Sequence, residues 1–205
     1  MTNPVIEAIH TRRSCRSFEP KPIPKEIIKT IIEAGNRAPS RGRLVKGKED
    51  PLFQPWRFVA VEDPEFKQKL VQTTLPIWKN STEKTKEILP KWYKKAMRLY
   101  DAMDEPKDMV YYSAPVILFV IGPAEYAVSC ALACQNIMIA AQSLGLGSCY
   151  VGFGSLVKGN AEIVQTLELT DDERIYGPIV LGYPKDIPEA RAMLSKKEKP
   201  KIKWI

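Results

Sequence analysis

The chain has 205 residues, of which 44% are hydrophobic and 27% charged, a balance that fits one compact domain with embellishments and excludes a disordered chain. Its net charge of +7 suits an anionic partner, whether nucleic acid, a membrane surface or a phosphorylated cofactor or substrate, without choosing among them. The first 25 residues carry Glu7, Arg12, Arg13 and Arg16 and no apolar core, so no signal peptide is read there and a cytoplasmic protein is expected.

Asn3 followed by Pro4 predicts a helix start, and Val5, Ile6 and Ile9 carry a short helix to about Thr11. Arg12-Arg13-Ser14-Cys15-Arg16-Ser17-Phe18 comes next, and Pro20, Pro22 and Pro24 make an extended connection. Ile27, Ile28, Ile31 and Ile32 form one stripe of a helix over 25–36, which stops before Ala38-Pro39-Ser40. Residues 41–51 are charged, contain Gly42 and Gly47, and lack an apolar period, which predicts a loop. A strand is predicted over 56–62, and Asp63-Pro64-Glu65 opens a helix reaching about Thr73. The lysine-rich stretch 75–108, interleaved with Trp78, Trp92, Tyr93 and Tyr100, reads as surface-lying helix.

Residues 115–121 are continuously apolar over a strand's length, as expected of a strand covered on both faces. Residues 125–144 are apolar nearly all round, the mark of a buried helix or a membrane span; the α/β character of the rest selects a buried central helix. Gly145-Leu146-Gly147 ends it, a strand follows over 148–151, and Gly152-Phe153-Gly154 makes a tight loop. A helix over 156–169, a strand over 175–182 and an extended basic tail complete the chain.

Cys15, Cys130, Cys134 and Cys149 include no CxxC pair and His10 is the single histidine, so the pattern offers neither a zinc nor an iron–sulfur site. Cys130 and Cys134 share a helix face among apolar residues and read as buried small hydrophobes. Arg12, Ser14 and Arg16 point to one side of an extended chain, a forked set of charged donors plus a hydroxyl that suits a phosphate; solvation of a helix end is the plainer alternative. The four glycines between Gly145 and Gly154 permit close approach of a flat ligand to bare backbone, or are ordinary punctuation between helix and strand. No G-x-G-x-x-G and no complete G-x-x-x-x-G-K-[ST] occurs, which argues against a Rossmann dinucleotide site and a P-loop.

Taken in order, Arg12-Arg13-Ser14-Cys15-Arg16-Ser17-Phe18, Ala38-Pro39-Ser40, Gln54-Pro55-Trp56-Arg57-Phe58, Ala114-Pro115, Ala140-Ala141 with Gly145-Leu146-Gly147-Ser148-Cys149, and Gly182-Tyr183-Pro184 resemble the nitroreductase family of flavin oxidoreductases over nearly the whole length. The resemblance implies an α+β fold with a mixed central sheet wrapped by helices, a single FMN-binding domain over 1–205, and an intertwined homodimer with FMN at its interface. It implies that Arg12, Arg13, Ser14 and Arg16 contact the FMN phosphate and ribityl chain. Pro39 and Ser40 of the other subunit would line the ring, Tyr150, Val151 and Gly152 would lie under it with a backbone amide toward N5, and Lys196 or Lys197 would be a second phosphate ligand. NADH or NADPH would reduce the flavin, which would pass electrons to a small acceptor such as a nitro-aromatic or quinone in ping-pong fashion. No catalytic acid or base is assigned, and no metal, nucleic acid or membrane is expected.

The sequence departs from the family at residues 41–53, an insertion between Ser40 and Gln54 that reads as a pocket element or a tolerated surface loop. Two alternatives stay open. One is another flavin reaction of the same superfamily, reductive dehalogenation or flavin fragmentation, with 75–108 as a lid placing Trp78, Trp92 or Tyr93 over the ring. The other is a non-enzymatic nucleic-acid binder using the aromatic–lysine stretch.

Overall fold

The computed structural model describes residues 3–45, 48–50, 53–185 and 200–205. The fold is organised by β4 (Val116–Pro123), the continuous apolar run. Its side chains alternate: Ile117, Phe119 and Ile121 enter one core, and Val116, Leu118 and Val120 enter a second core on the opposite face. A strand buried on both faces has no use for polar positions, which is why the sequence lacks the usual alternation there.

β4 pairs antiparallel with β3 (Arg57–Val61) on one side and with β6 (Glu173–Gly182) on the other, and β5 (Gly147–Tyr150) closes the edge in the order β3-β4-β6-β5. Among the described residues, the parallel component of the sheet is the bridge between Ser14 and Ser148 on the outer edge of β5. Between Leu118 and Val120 the β4–β6 register shifts, and at that place Pro178 O accepts the Val151 N–H at 2.8 Å. The irregularity thus re-aims the chain leaving β5.

One face of the sheet is covered by α3 (Pro64–Glu83), α4 (Pro90–Asp101) and α6 (Ala161–Thr166), through Leu70, Val71, Trp78, Ala96 and Ile163. The other is covered by α2 (Lys25–Asn36) and α5 (Ala127–Ser143), through Ile28, Ile31, Cys130, Ala133, Cys134 and Ile137. The short α1 (Pro4–Thr11), capped by Asn3 Oδ1 at 2.9 Å from Val5 N, packs on α5. The segment Ala124–Ser143 is long and apolar enough to cross a membrane by length and composition; here its stripe of small residues is buried against the sheet. Burial pushes the Cys130 thiol up to about 11 and that of Cys134 to about 12, so both stay protonated, as expected of small hydrophobes.

Three expectations are corrected. The insertion expected to be a loop carries a hairpin, β1 (Arg43–Val45) with β2 (Lys48–Asp50), because a ladder of backbone bonds needs no apolar face. The helix expected to stop near Thr73 continues through Pro76 to Glu83: the buried stripe Leu70, Val71, Thr74 and Trp78 outweighs the lost proline N–H. The helix expected over 156–169 shrinks to Ala161–Thr166, since Asn160 Oδ1 caps Glu162 N and Ile163 N and restarts the chain there.

Arg57 on β3 forms a bidentate pair with Glu173 on β6, Nε to Oε1 and Nη2 to Oε2, both at 2.9 Å. This bond to Arg57 holds the Glu173 carboxyl below the usual carboxylate range, against the opposing effect of burial. A depressed folded value means that the stabilisation is present above the unfolded pKa and fades as pH falls through the folded one. We expect Glu173→Gln to lower stability by about 1 kcal/mol at pH 7, with the difference from wild type vanishing in acid, as read from urea denaturation at several pH values.

Candidate functional site

The Arg12–Arg16 segment is set by both of its ends. Arg12 leaves α1 in an extended conformation while its N–H still donates to Ala8 O at 3.0 Å. Thr11 Oγ1 accepts from Gln142 Nε2 at 3.3 Å, which fixes the exit of α1 at the C-terminal end of α5. Cys15 N then donates to Ser148 O at 2.9 Å, so the segment lies along the outer edge of β5. This approach requires Gly147: a Cβ there would stand 2.7 Å from both Cβ and Sγ of Cys15. Downstream, Glu19 N and Lys185 N donate to Tyr183 O and Ser17 O, clamping the other end.

Arg12 and Arg16 have no carboxylate within ion-pair reach among the described residues. Arg16 instead sits 5.8 Å from the centroid of the Tyr112 ring. Beneath it, the Cys149 thiol is pushed up by burial, with Arg16 and Ser14 opposing that effect, and the Tyr112 hydroxyl is likewise pushed up by burial against the pull of Arg16. Two guanidinium groups beside an exposed serine, with no acid to neutralise them, form a donor set suited to a phosphate.

Tyr150, Val151 and Gly152 follow directly from β5 and stand beside this segment, with Tyr150 and Gly152 exposed. The Val151 N–H is taken by Pro178 O, and a 3-10 turn begins at Gly152. The Gly152 amide, first in that turn, has no acceptor among the described residues. A Cβ built on Gly152 meets no heavy atom within 4 Å, so the turn itself does not require glycine there.

Pro39 and Ser40 lie elsewhere. Asn36 at the end of α2 is held by Gln54 Nε2 and Trp56 Nε1 at 2.7 and 2.9 Å, and Ser40 Oγ donates to Phe53 O at 2.7 Å, closing the base of the inserted hairpin. Arg41 N donates to Ser129 Oγ at 3.4 Å, so this group borders a cavity of about 410 Å³ at the N-terminal end of α5. Arg12, Arg13, Ser14, Arg16, Tyr150, Val151 and Gly152 are therefore brought together, while Pro39 and Ser40 are not. A rise of about 1.5 Å per residue puts Ser129 and Gln142, the anchors of the two groups, about 20 Å apart along α5. Lys196 and Lys197 lie outside the described residues.

Tyr112 and Asp108 escaped the sequence reading. Asp108, buried, accepts three backbone N–H groups, from Val110 (3.0 Å), Tyr111 (2.6 Å) and Ser113 (2.8 Å). That carboxylate supports the left-handed φ of Tyr112 (58°) and Ser113 (51°), and so presents Tyr112 to Arg16. An aspartate ahead of two aromatics is too common a pattern to announce such a turn. Of the aromatics proposed as lid residues, Tyr93 is turned away, its hydroxyl donating to Glu83 Oε2 at 2.9 Å, and Trp78 is buried against Tyr100, with ring centroids 5.8 Å apart.

The antiparallel sheet between two helical layers is a fold shared with known proteins. The profile described as the Nitroreductase family matches residues 9–183, and the chain belongs to that family. A protein of Methanothermobacter thermautotrophicus whose name includes "NAD(P)H nitroreductase" is 29% identical over 207 residues, covering 98% of this chain and 87% of its own. The NADPH-flavin oxidoreductase of Vibrio harveyi is 29% identical over 192 residues, covering 94% of this chain and 70% of its own. A nitroreductase of Desulfitobacterium hafniense, solved with bound FMN, shares the fold with a TM-score of 0.68 at 24% identity, covering 91% of this chain and 92% of that one.

Proposed function

We propose that this chain is an FMN-dependent NAD(P)H oxidoreductase that works as a homodimer and reduces a small organic acceptor. The observation that carries the reading is the split site: one chain holds the arginine segment at one end of α5 and Pro39–Ser40 at the other. The face between them is apolar and exposed, with Val5, Ile6 and Ile9 of α1 at 59%, 50% and 46% exposure and Val128 of α5 at 76%. A two-fold axis across α5 buries that face and carries Pro39 and Ser40 of the partner subunit to the arginine segment. The positive charge then needs no nucleic acid to explain it, and the four cysteines, all free, fit a reducing cytoplasm.

Arg12, Arg13, Ser14 and Arg16 would hold the phosphate end and ribityl chain of FMN. Tyr150, Val151 and Gly152 would support the ring, and the Gly152 N–H, which has no acceptor among the described residues, would be available to N5. FMN held there would supply the redox chemistry between NADH or NADPH and the acceptor, in two separate half-reactions. The protein's part is to orient the ring, to place one amide dipole where negative charge grows, and to exclude water through the dimer contact. Purified protein should absorb in the blue flavin band and scatter light at twice the 23.2 kDa chain mass. A colourless protein that takes up no FMN, or a stable flavin-loaded monomer, overturns the reading.

Gly152→Val separates support of the flavin from support of the turn. Since a Cβ at this position meets nothing within 4 Å, the variant should keep its Tm. It should lose FMN occupancy, or keep FMN at a more negative midpoint potential with slower reduction by the nicotinamide. Loss of Tm with normal occupancy and potential removes Gly152 from the site.

A further inference from the structure

Beside the arginine segment lies a cavity of about 460 Å³, within the usual range for a small-molecule site. Its floor is Arg16, Tyr112 and Val151, and its outer wall comes from the α3–α4 hairpin, with Trp78 inside and Trp92 and Lys95 at the mouth. No aspartate or glutamate among the described residues lines it. Lys95 is the lysine among the described lining residues, and it differs from other lysines of the 75–108 region in its commitments. Lys79 and Lys107 stand 4.8 and 4.4 Å from the centroid of the Tyr100 ring, and Lys86 lies 5.7 Å from that of Tyr93. Lys95 has neither a ring nor a carboxylate partner among the described residues.

We propose that this cavity is the acceptor subsite and takes a small aromatic anion, such as an aromatic carboxylate, with Lys95 as its counter-charge and Trp92 as its stacking face. The inference rests on the oxidoreductase reading above and adds the class of acceptor to it. The indole side chains of Trp78 and Trp92 on the α3–α4 wall, the second of them exposed, suit a flat ring. With no acid among the described lining residues, the Lys95 charge beside apolar walls attracts an anion more strongly than it would at an open surface. Arg16 is committed to the flavin side, which leaves Lys95 to select the acceptor's charge. A neutral nitro-aromatic or quinone would fill the same walls without using it.

The test is a calorimetric titration of FMN-loaded protein with 4-nitrobenzoate and with 4-nitrobenzamide, which share shape but differ in charge. The wild type should bind the anion about fivefold more tightly at low salt, with the margin shrinking as salt rises. Lys95→Gln should erase the preference and Lys95→Arg should retain it. Trp92→Ala should weaken both ligands alike. Equal affinities in the wild type, or a preference that survives in Lys95→Gln, overturns the inference. If Lys95→Gln weakens FMN as Arg16→Ala does, the cavity is part of the flavin's own bed and the inference falls. The 2′-phosphate of NADPH is the other anion with access to this region. A rise in KM for NADPH but not NADH in Lys95→Gln, with the benzoate preference intact, assigns Lys95 to the reductant instead and also overturns it. A wild-type chain that takes up no FMN sinks the oxidoreductase reading, whereas one that binds FMN but shows no anion preference sinks this inference alone.

Discussion

Replacing Arg12 and Arg16 together with alanine is expected to raise the Kd for FMN about a hundredfold and to leave the Tm of the flavin-free protein nearly unchanged. A hydrogen bond to a charged group contributes roughly 1.5–3 kcal/mol, and solvent at this half-open site reduces that toward about tenfold in affinity per arginine. Stability should be spared because neither side chain neutralises a carboxylate among the described residues, so truncation leaves no buried charge behind. Arg16→Ala alone also loses the contact with the Tyr112 ring, a small effect at an exposed position. Fluorescence titration of FMN with each single variant and the double, beside thermal melts, checks the result. Unchanged affinity in all three variants would remove the segment from the phosphate.

Gly147→Ala should do the opposite, damaging stability and flavin binding together. The new Cβ would stand 2.7 Å from the Cβ and Sγ of Cys15, and although Sγ can rotate away, the Cys15 Cβ cannot move without its backbone. Either β5 or the arginine segment must move, at about 1–3 kcal/mol by analogy with overpacked cores. Movement of the segment breaks the bond from Cys15 N to Ser148 O and displaces Arg12, Ser14 and Arg16 as a unit. The clash is with one side chain, so it can be relieved: in a Cys15→Gly background the same alanine should be much less harmful, giving a coupling of about 1 kcal/mol or more in a double-mutant cycle. Additive effects of the two substitutions would show that the close approach of Gly147 to Cys15 does not hold the segment in place.

Where the sequence was most legible, the signal was local. The run over β4, the isoleucine stripe of α2 and the Asn3 cap each rest on spacing within a few residues, and each formed close to its expected bounds. The ordered motifs identified the family because they cover most of the chain. The insertion, the end of α3 and the start of α6 were misjudged where a local rule met a stronger contact: a ladder without an apolar face, a buried stripe passing a proline, and an asparagine cap inside an apolar stretch.

The amino-acid sequence by itself determined the core-forming elements, the cationic character of the arginine segment and the family, since these depend on residue type and short-range period. The tertiary structure decided which of those residues meet. Gly147 reads as punctuation along the chain, and its need for a missing Cβ exists only because Cys15 arrives from more than a hundred residues away. Tyr112 faces Arg16 only because Asp108 gathers three amides, and Lys95 joins the same cavity only because Trp78 stacks under Tyr100 and seats α4 there. The separation of Pro39–Ser40 from the arginines is likewise set by the length of α5. Periodicity records which face of an element is buried; it carries no information about which distant surface does the burying, because that is chosen by the packing of the whole chain at once.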